Sequence, residues 1–257
     1  MDIYGIIGTS LAHSFSPKYF NDYFQKAGIS AKYLCFEIPK IQQLAEILHQ
    51  YPQLKGFNVT IPYKESIFPL LDQISEEAIA VGAVNCVKIE SLENHKKLIG
   101  YNTDIFGFQS ALLDFIPPTC NKALILGNGG AAKAVRHVLN ALHIPSLTVS
   151  RTPKTKYEIS YIATKQYIPE YSLIINTTPL GTWPNTENAP NIAYDLLTPN
   201  HYLFDLVYNP SSTKFMKKGQ LQGAHVCNGH QMLLKQAEKN LEIWRNKNHS
   251  LFSQTNL

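Results

Sequence analysis

The run Asn58-Val59-Thr60-Ile61-Pro62-Tyr63-Lys64 sets two hydrogen-bonding side chains and an amine at the end of an apolar stretch. α/β sheets bind their ligands at such strand ends, so the run offers hydrogen bonds and one proton-bearing cation to a polar small molecule. Asn85 and Asn102-Thr103-Asp104 add amides and a carboxylate after later apolar stretches. Ser14 and Ser16, in Ala12-His13-Ser14-Phe15-Ser16-Pro17, read by themselves as turn and helix-cap residues. Lys64 equally suits a surface lysine at a helix start, and Asp104 a helix cap.

A second constellation is the phosphate-binding type. Leu124-Ile125-Leu126-Gly127-Asn128-Gly129-Gly130-Ala131-Ala132 fits the GxGxxA form of the dinucleotide fingerprint, after a hydrophobic strand and ahead of a helix-forming run. Gly127 permits a tight turn, Gly129 a close approach of backbone to pyrophosphate, and Ala132 close helix–strand packing; the helix amides receive the anion. An NAD enzyme places Asp or Glu roughly 20 residues further on to hold the ribose hydroxyls. This chain has Ser150-Arg151-Thr152 there, with Lys154 and Lys156 following. An arginine can stack on adenine and pair with a 2′-phosphate, so the sequence predicts NADP rather than NAD. The competing reading is a solvated basic loop.

The elements that must position these groups alternate strand and helix. Strands are expected at Ile3–Gly8, Tyr33–Ile38 and Gly56–Thr60, with helices from Ser16 to about Gly28 and over Ile41–His49. The rhythm reads as α/β with a mainly parallel sheet. Ser16 is expected to cap the first helix, with Pro17 at its first position. A strand pair follows, Ala83–Ile89 and Lys97–Tyr101. A helix over Ile105–Phe115 then ends at Pro117-Pro118, which mark a junction. A doubly wound series begins at Lys122: strand 123–126, helix 131–142, and strands 147–150, 173–176, 202–206 and 224–226. A last helix over His230–Trp244 carries an apolar stripe (Met232, Leu233, Ala237, Leu241, Trp244), and the Asn/Lys/Ser-rich tail after it is expected to fray.

The 257 residues suit one closed barrel or two modest domains. Hydrophobic content of 44% with 16% charged residues describes a folded globular chain. The net charge of +4 is spread thinly, without the basic run of a nucleic-acid footprint. No basic-then-apolar leader and no long apolar span occurs, so a cytoplasmic location without membrane attachment is expected. Cys35, Cys86, Cys120 and Cys227 show neither CxxC nor Cys/His metal spacing, so no metal site is expected and the thiols should be reduced.

Taken in order, the motifs resemble the shikimate dehydrogenase family from residue 3 to about residue 241. The family's SxSP looks like Ser14 to Pro17, its NVTxPxK like Asn58 to Lys64, its GAVNT like Gly82 to Cys86, and its GxNTD like Gly100 to Asp104. Its phosphate loop resembles Gly127 to Ala132, its NRT Ser150 to Thr152, its NxTPxG Asn176 to Gly181, its DxxYxPxxT Asp205 to Thr213, and its GxxMLxxQA Gly229 to Ala237. Departures are Asn128 for the usual Ala, Ile105 for Gly, Thr182 for Met and Ser150 for Asn.

The resemblance implies a substrate domain over 1–104 and a Rossmann-type NADP domain over 105–228. Residues 229–257 would form a helix returning to the first domain, and the cleft between the domains would be the active site. It implies that Ser14 and Ser16 bind a substrate carboxylate, and that Thr60, Asn85, Asp104 and Gln236 bind ring oxygens, with Tyr208 nearby. Lys64 would stabilise and protonate the oxygen formed as hydride reduces the 3-keto group of 3-dehydroshikimate, with Asp104 holding the amine. Glu76, Gly127, Asn128, Gly129, Gly130, Ala131, Ser150, Arg151, Thr152, Lys156, Leu206 and Gly229 would serve the cofactor. A monomer or homodimer acting on a small molecule is expected. Rival readings are a quinate/shikimate dehydrogenase using NAD, disfavoured by the basic loop, and a non-catalytic sensor of shikimate and NADP, which should have lost Lys64 or Asp104.

Overall fold

The computed structural model describes residues 1–92 and 95–245, and the tail after Arg245 lies outside the described residues. The chain forms two compact units: Met1–Thr103 joined by the chain from Ala237, and Asp104–Gln236.

In the first unit the strands are β1 (Asp2–Gly8), β2 (Ala31–Glu37), β3 (Leu54–Val59), β4 (Gln73–Ile74), β5 (Cys86–Ser91) and β6 (Lys96–Tyr101). Helices α1 (Ser16–Lys26), α2 (Leu44–Gln50), α3 (Tyr63–Ser66) and α4 (Glu76–Val81) connect them. The sheet order is β2-β1-β3-β5-β6-β4. β1 pairs in parallel with β2 and β3, and β6 with β4; only β5 runs antiparallel, to both β3 and β6, so the sheet is mainly parallel, as expected, with one reversed strand. For the β5–β6 pair the reason is connectivity: four residues, 92–95, separate the two strands in sequence, and only antiparallel strands can be joined so briefly.

The expected cap at Ser16 is not formed. Helix α1 begins at Ser16 itself, behind Phe15, and no side chain caps it. Its amphipathic face buries Phe20 and Phe24, with Phe20 stacked on Tyr33 of β2 at 4.6 Å between ring centres. The strand expected from Ala83 begins at Cys86, because Val84 and Asn85 spend their amides on other segments, Val84 N–H donating to Lys64 O (2.8 Å) and Asn85 N–H to Tyr101 O (3.0 Å).

The second unit contains α5 (Thr103–Phe115, whose first residue lies in the first unit), β7 (Ala123–Leu126), α6 (Gly130–Ala141), β8 (Ser146–Val149), β9 (Glu158–Ile159), α7 (Thr164–Tyr167) and β10 (Leu173–Asn176). β11 (Tyr202–Asp205), α8 (Lys214–Gln220), β12 (His225–Asn228) and the start of α9 (His230–Arg245) complete it. Its sheet is parallel throughout in the order β12-β11-β10-β7-β8-β9, the doubly wound dinucleotide-binding arrangement with its switch point between β7 and β10. β7 and β10 are buried along their whole length, as strands covered on both faces must be.

The junction is at Thr103/Asp104, in the first turn of α5, rather than at Pro117-Pro118. Packing decides this: Phe108, Ala111 and Leu112 of α5 share a core with Ile125, Ile175 and Phe204, so the helix belongs to the second unit. Likewise α9 changes unit within the helix, at Ala237. Met232 packs with Phe108 and Phe204, whereas Ala237, Leu241, Ile243 and Trp244 pack with Tyr4, Phe20 and Tyr33. Trp244 Nε1 donates to Val87 O at 3.0 Å and lies against Gly56, where any Cβ would collide with the indole.

Candidate active site

In the first unit a buried polar chain links the motif residues. Tyr33 Oη donates to Asn58 Oδ1 (2.7 Å), and Asn58 Nδ2 donates to Asn85 O (3.0 Å). Asn85 Oδ1 accepts from Thr103 N–H (2.7 Å) and from Thr103 Oγ1 (3.2 Å), which also donates to Asn240 Oδ1 of α9 (2.8 Å). Burial pushes the Tyr33 hydroxyl well above its ordinary range, with the neighbouring Ser16 side chain opposing the rise. The structure thus joins Tyr33, Asn58, Asn85, Thr103 and Asn240 in one network, with Ser16 close to the Tyr33 hydroxyl. Sequence reasoning did not single out Tyr33, whose strand position looks purely apolar.

Thr60 follows β3 and is half-buried, its N–H bound to Ile7 O (3.0 Å). Lys64 is half-buried in α3, and its backbone carbonyl, through Val84, ties that turn to the segment carrying Asn85. Ser14 is half-buried, its N–H on Leu11 O (2.9 Å). Glu76 is exposed at the first position of α4; the cap there is Ser75, whose Oγ accepts from Ala78 N–H at 3.3 Å.

Asp104 is 7% exposed in the first turn of α5, inside the helix rather than capping it. Gly107, one turn on, is required by close helix packing: a Cβ there would lie 2.6 Å from Met232 O and 3.1 Å from Gln236 Cβ. Tyr208 is half-buried on the loop after β11, and burial raises its hydroxyl. That loop hangs on Asp205, which is 0% exposed and accepts from Thr213 Oγ1 (2.6 Å), Val207 N–H (3.0 Å) and Asn176 Nδ2 (2.9 Å). Leu206 and Gly229 also meet, since a Cβ on Gly229 would collide with the Leu206 carbonyl.

At the switch point of the second sheet lies a cleft of about 780 Å³. Gly127, Asn128, Gly129, Ser150, Arg151 and Thr152 line it together with Tyr161, Thr177, Thr178 and Leu180, which sequence reading did not assign. Gly127 turns with φ +106°, and a Cβ there would crowd Thr177 Oγ1 and Thr178 Cγ2 at 2.9 Å. Gly129 has open space where a Cβ would be, Gly130 begins α6, and Ala132 is fully buried against the sheet. These features fit a dinucleotide: a turn only glycine makes, an open approach to the helix amides, and tight helix–sheet packing. Ser150 follows β8 where a carboxylate would read a ribose, its Oγ accepting from Thr152 N–H (3.2 Å). Arg151 is exposed and its charge opposes the burial-driven rise of the Tyr161 hydroxyl. Gly130, Ala131 and Lys156 are not among the lining residues; the Lys156 amine sits 5.0 Å over the Tyr157 ring.

Comparison with known proteins agrees with this geometry. Residues 6–87 match the family described as the shikimate dehydrogenase substrate binding domain. The chain is 39% identical over 255 residues to a shikimate dehydrogenase (NADP(+)) of Clostridium beijerinckii, covering 95% of this chain and 92% of that protein. It is 35% identical to a protein of the same name from Staphylococcus aureus, covering 97% and 95%. The crystal structure of shikimate 5-dehydrogenase from Thermus thermophilus, in complex with NADP(H) and shikimate, superimposes with a TM-score of 0.81 at 29% identity, covering 95% and 94%. With a fingerprint cleft at the switch point and relatives of this identity along nearly its whole length, the chain belongs to the shikimate dehydrogenase family.

Proposed function

We propose that this protein is an NADP-dependent shikimate dehydrogenase, reducing 3-dehydroshikimate reversibly to shikimate. The observation that carries the reading is the cleft after β7 and β8, where Gly127 and Gly129 leave room for a pyrophosphate. Arg151 and Thr152 replace the carboxylate that would read an unphosphorylated ribose. NADPH, when bound, supplies hydride. Lys64 stabilises and protonates the ketone oxygen as it becomes a hydroxyl, and Asp104 accepts a hydrogen bond from a ring hydroxyl. Ser14 and Ser16 hold the carboxylate through their hydroxyls, while Thr60, Asn85, Gln236 and Tyr208 orient the ring. Around the cofactor, Gly127 to Ala131 receive the pyrophosphate, Ser150, Arg151, Thr152 and Lys156 the adenosine phosphate end, and Glu76, Leu206 and Gly229 the nicotinamide side.

Residues 1–104 act as the substrate domain and 105–228 as the NADP domain, followed by the helix from 229. The four cysteines are all free, which supports a reducing compartment, and we place the protein in the cytoplasm as a monomer or homodimer. No helix among the described residues is long and apolar enough to cross a membrane. The test is absorbance at the reduced-nicotinamide band with shikimate or quinate offered alongside NADP or NAD in each combination. Reduction with shikimate and NADP is expected; reduction only with quinate and NAD would overturn the reading.

A further inference from the structure

Asn128 stands where the family pattern has alanine, and its side chain occupies both its ends. Its Oδ1 accepts from Arg136 Nη2 of α6 at 3.0 Å, and its Nδ2 donates to Glu158 Oε1 of β9 at 3.3 Å. Arg136 Nη2 also donates to Thr148 Oγ1 of β8 (3.0 Å), and the other Glu158 oxygen, Oε2, accepts from Lys154 N–H (2.9 Å). The phosphate loop is therefore joined through Asn128 and Glu158 to the backbone of the loop that carries Arg151 and Thr152, and those two residues line the same cleft as Asn128.

Charge makes this arrangement informative. A carboxylate beside an anion-binding cleft repels a phosphate, so its presence there weakens binding unless it does something else. Both Glu158 oxygens accept hydrogen bonds that fix the position of the basic loop relative to the phosphate loop. With alanine at position 128 neither Glu158 nor Arg136 would have a partner on the phosphate loop.

We propose that Asn128 and Glu158 form a clip that holds the basic loop at the cofactor cleft, making both residues positioning elements for recognition of the 2′-phosphate. The proposal rests on the NADP reading above. The clip sets where Arg151 meets the phosphate without touching it, so its loss acts on NADP and spares NAD.

The experiment titrates wild type, Asn128→Ala, Glu158→Gln and the double variant with NADP and with NAD at fixed salt, and records each thermal midpoint. Asn128→Ala should weaken NADP by about 3- to 10-fold, the loss of roughly one net hydrogen bond, with NAD changed less than about twofold. Glu158→Gln, whose amide end cannot accept, should weaken NADP similarly. The double variant should be no worse than either single one, because the two residues act through one link. The clip is overturned if Asn128→Ala leaves the NADP-to-NAD affinity ratio unchanged, if Glu158→Gln tightens NADP as relief of simple repulsion would, or if a lowered midpoint accompanies equal losses for both cofactors. A wild type that prefers NAD overturns the cofactor reading and the clip together, whereas a wild type that prefers NADP confines any failure to the clip.

Discussion

Thr213 donates its hydroxyl proton to Asp205 Oδ2 at 2.6 Å, and both side chains are 0% exposed. This bond closes the loop carrying Tyr208, while the same threonine oxygen caps α8 by accepting from Met216 N–H (3.3 Å). Burial raises the Asp205 carboxyl from its ordinary 3.8 to about 6, against the pull of its hydrogen bonds. A folded-state value above the unfolded one means that the native protein binds the extra proton. The contribution to stability is therefore fully present below about pH 4 and lost as pH rises through about 6, a change of about 3 kcal/mol. Urea unfolding of wild type and Asp205→Asn across that window should give curves that diverge by this slope; parallel curves would show that Asp205 does not titrate there. Thr213→Val should cost about 1.5–3 kcal/mol at neutral pH by removing a bond to a charged group.

For Lys64→Ala, turnover with shikimate should fall about 100- to 10,000-fold through loss of the group that takes up the hydroxyl proton in this direction and returns it in reduction. The fold should persist, because the tie from this turn to Val84 uses the backbone carbonyl of Lys64 and not its amine. Full turnover in a folded variant would remove Lys64 from the chemistry.

The serines separate binding from stability more cleanly than the sequence did. Ser16 lies inside α1 and makes no cap, so Ser16→Ala forfeits no capping energy. Ser14→Ala and Ser16→Ala should each raise the Michaelis constant for shikimate through loss of about 1.5–3 kcal/mol of hydrogen bonding to a carboxylate, with turnover less affected. A lowered thermal midpoint at unchanged Michaelis constant would return both residues to a purely structural role.

The sequence revealed the second unit more readily than the first for a physical reason. A doubly wound sheet writes itself as short, fully apolar runs such as Ala123–Leu126 and Leu173–Asn176, each followed by its own turn chemistry, and Gly127 to Ala132 sit at the end of the first. The first sheet hides its one reversed strand, because no local residue pattern tells the direction of β5 from that of its neighbours β3 and β6. Partners distant in sequence were also illegible: nothing local joins Asn85 to Thr103, Tyr33 to Asn58, or Asn128 to Glu158. Residues such as Asp205 carried a motif letter, but their burial and their three donors emerge only when β10, β11 and α8 are packed.

Cofactor choice gives the most direct test of the nucleotide site. Arg151 is exposed at the cleft, and no acid ends β8. Arg151→Ala should remove one charge-assisted contact to the 2′-phosphate, about 1.5–3 kcal/mol, which lowers NADP affinity roughly 10- to 150-fold. NAD has no phosphate at that position, so its affinity should change far less. Titrations must share one ionic strength, since salt screens an exposed guanidinium and shrinks the difference. Equal losses for the two cofactors would mean that Arg151 only stacks on adenine, and the preference would then have to come from the backbone and hydroxyl of Thr152.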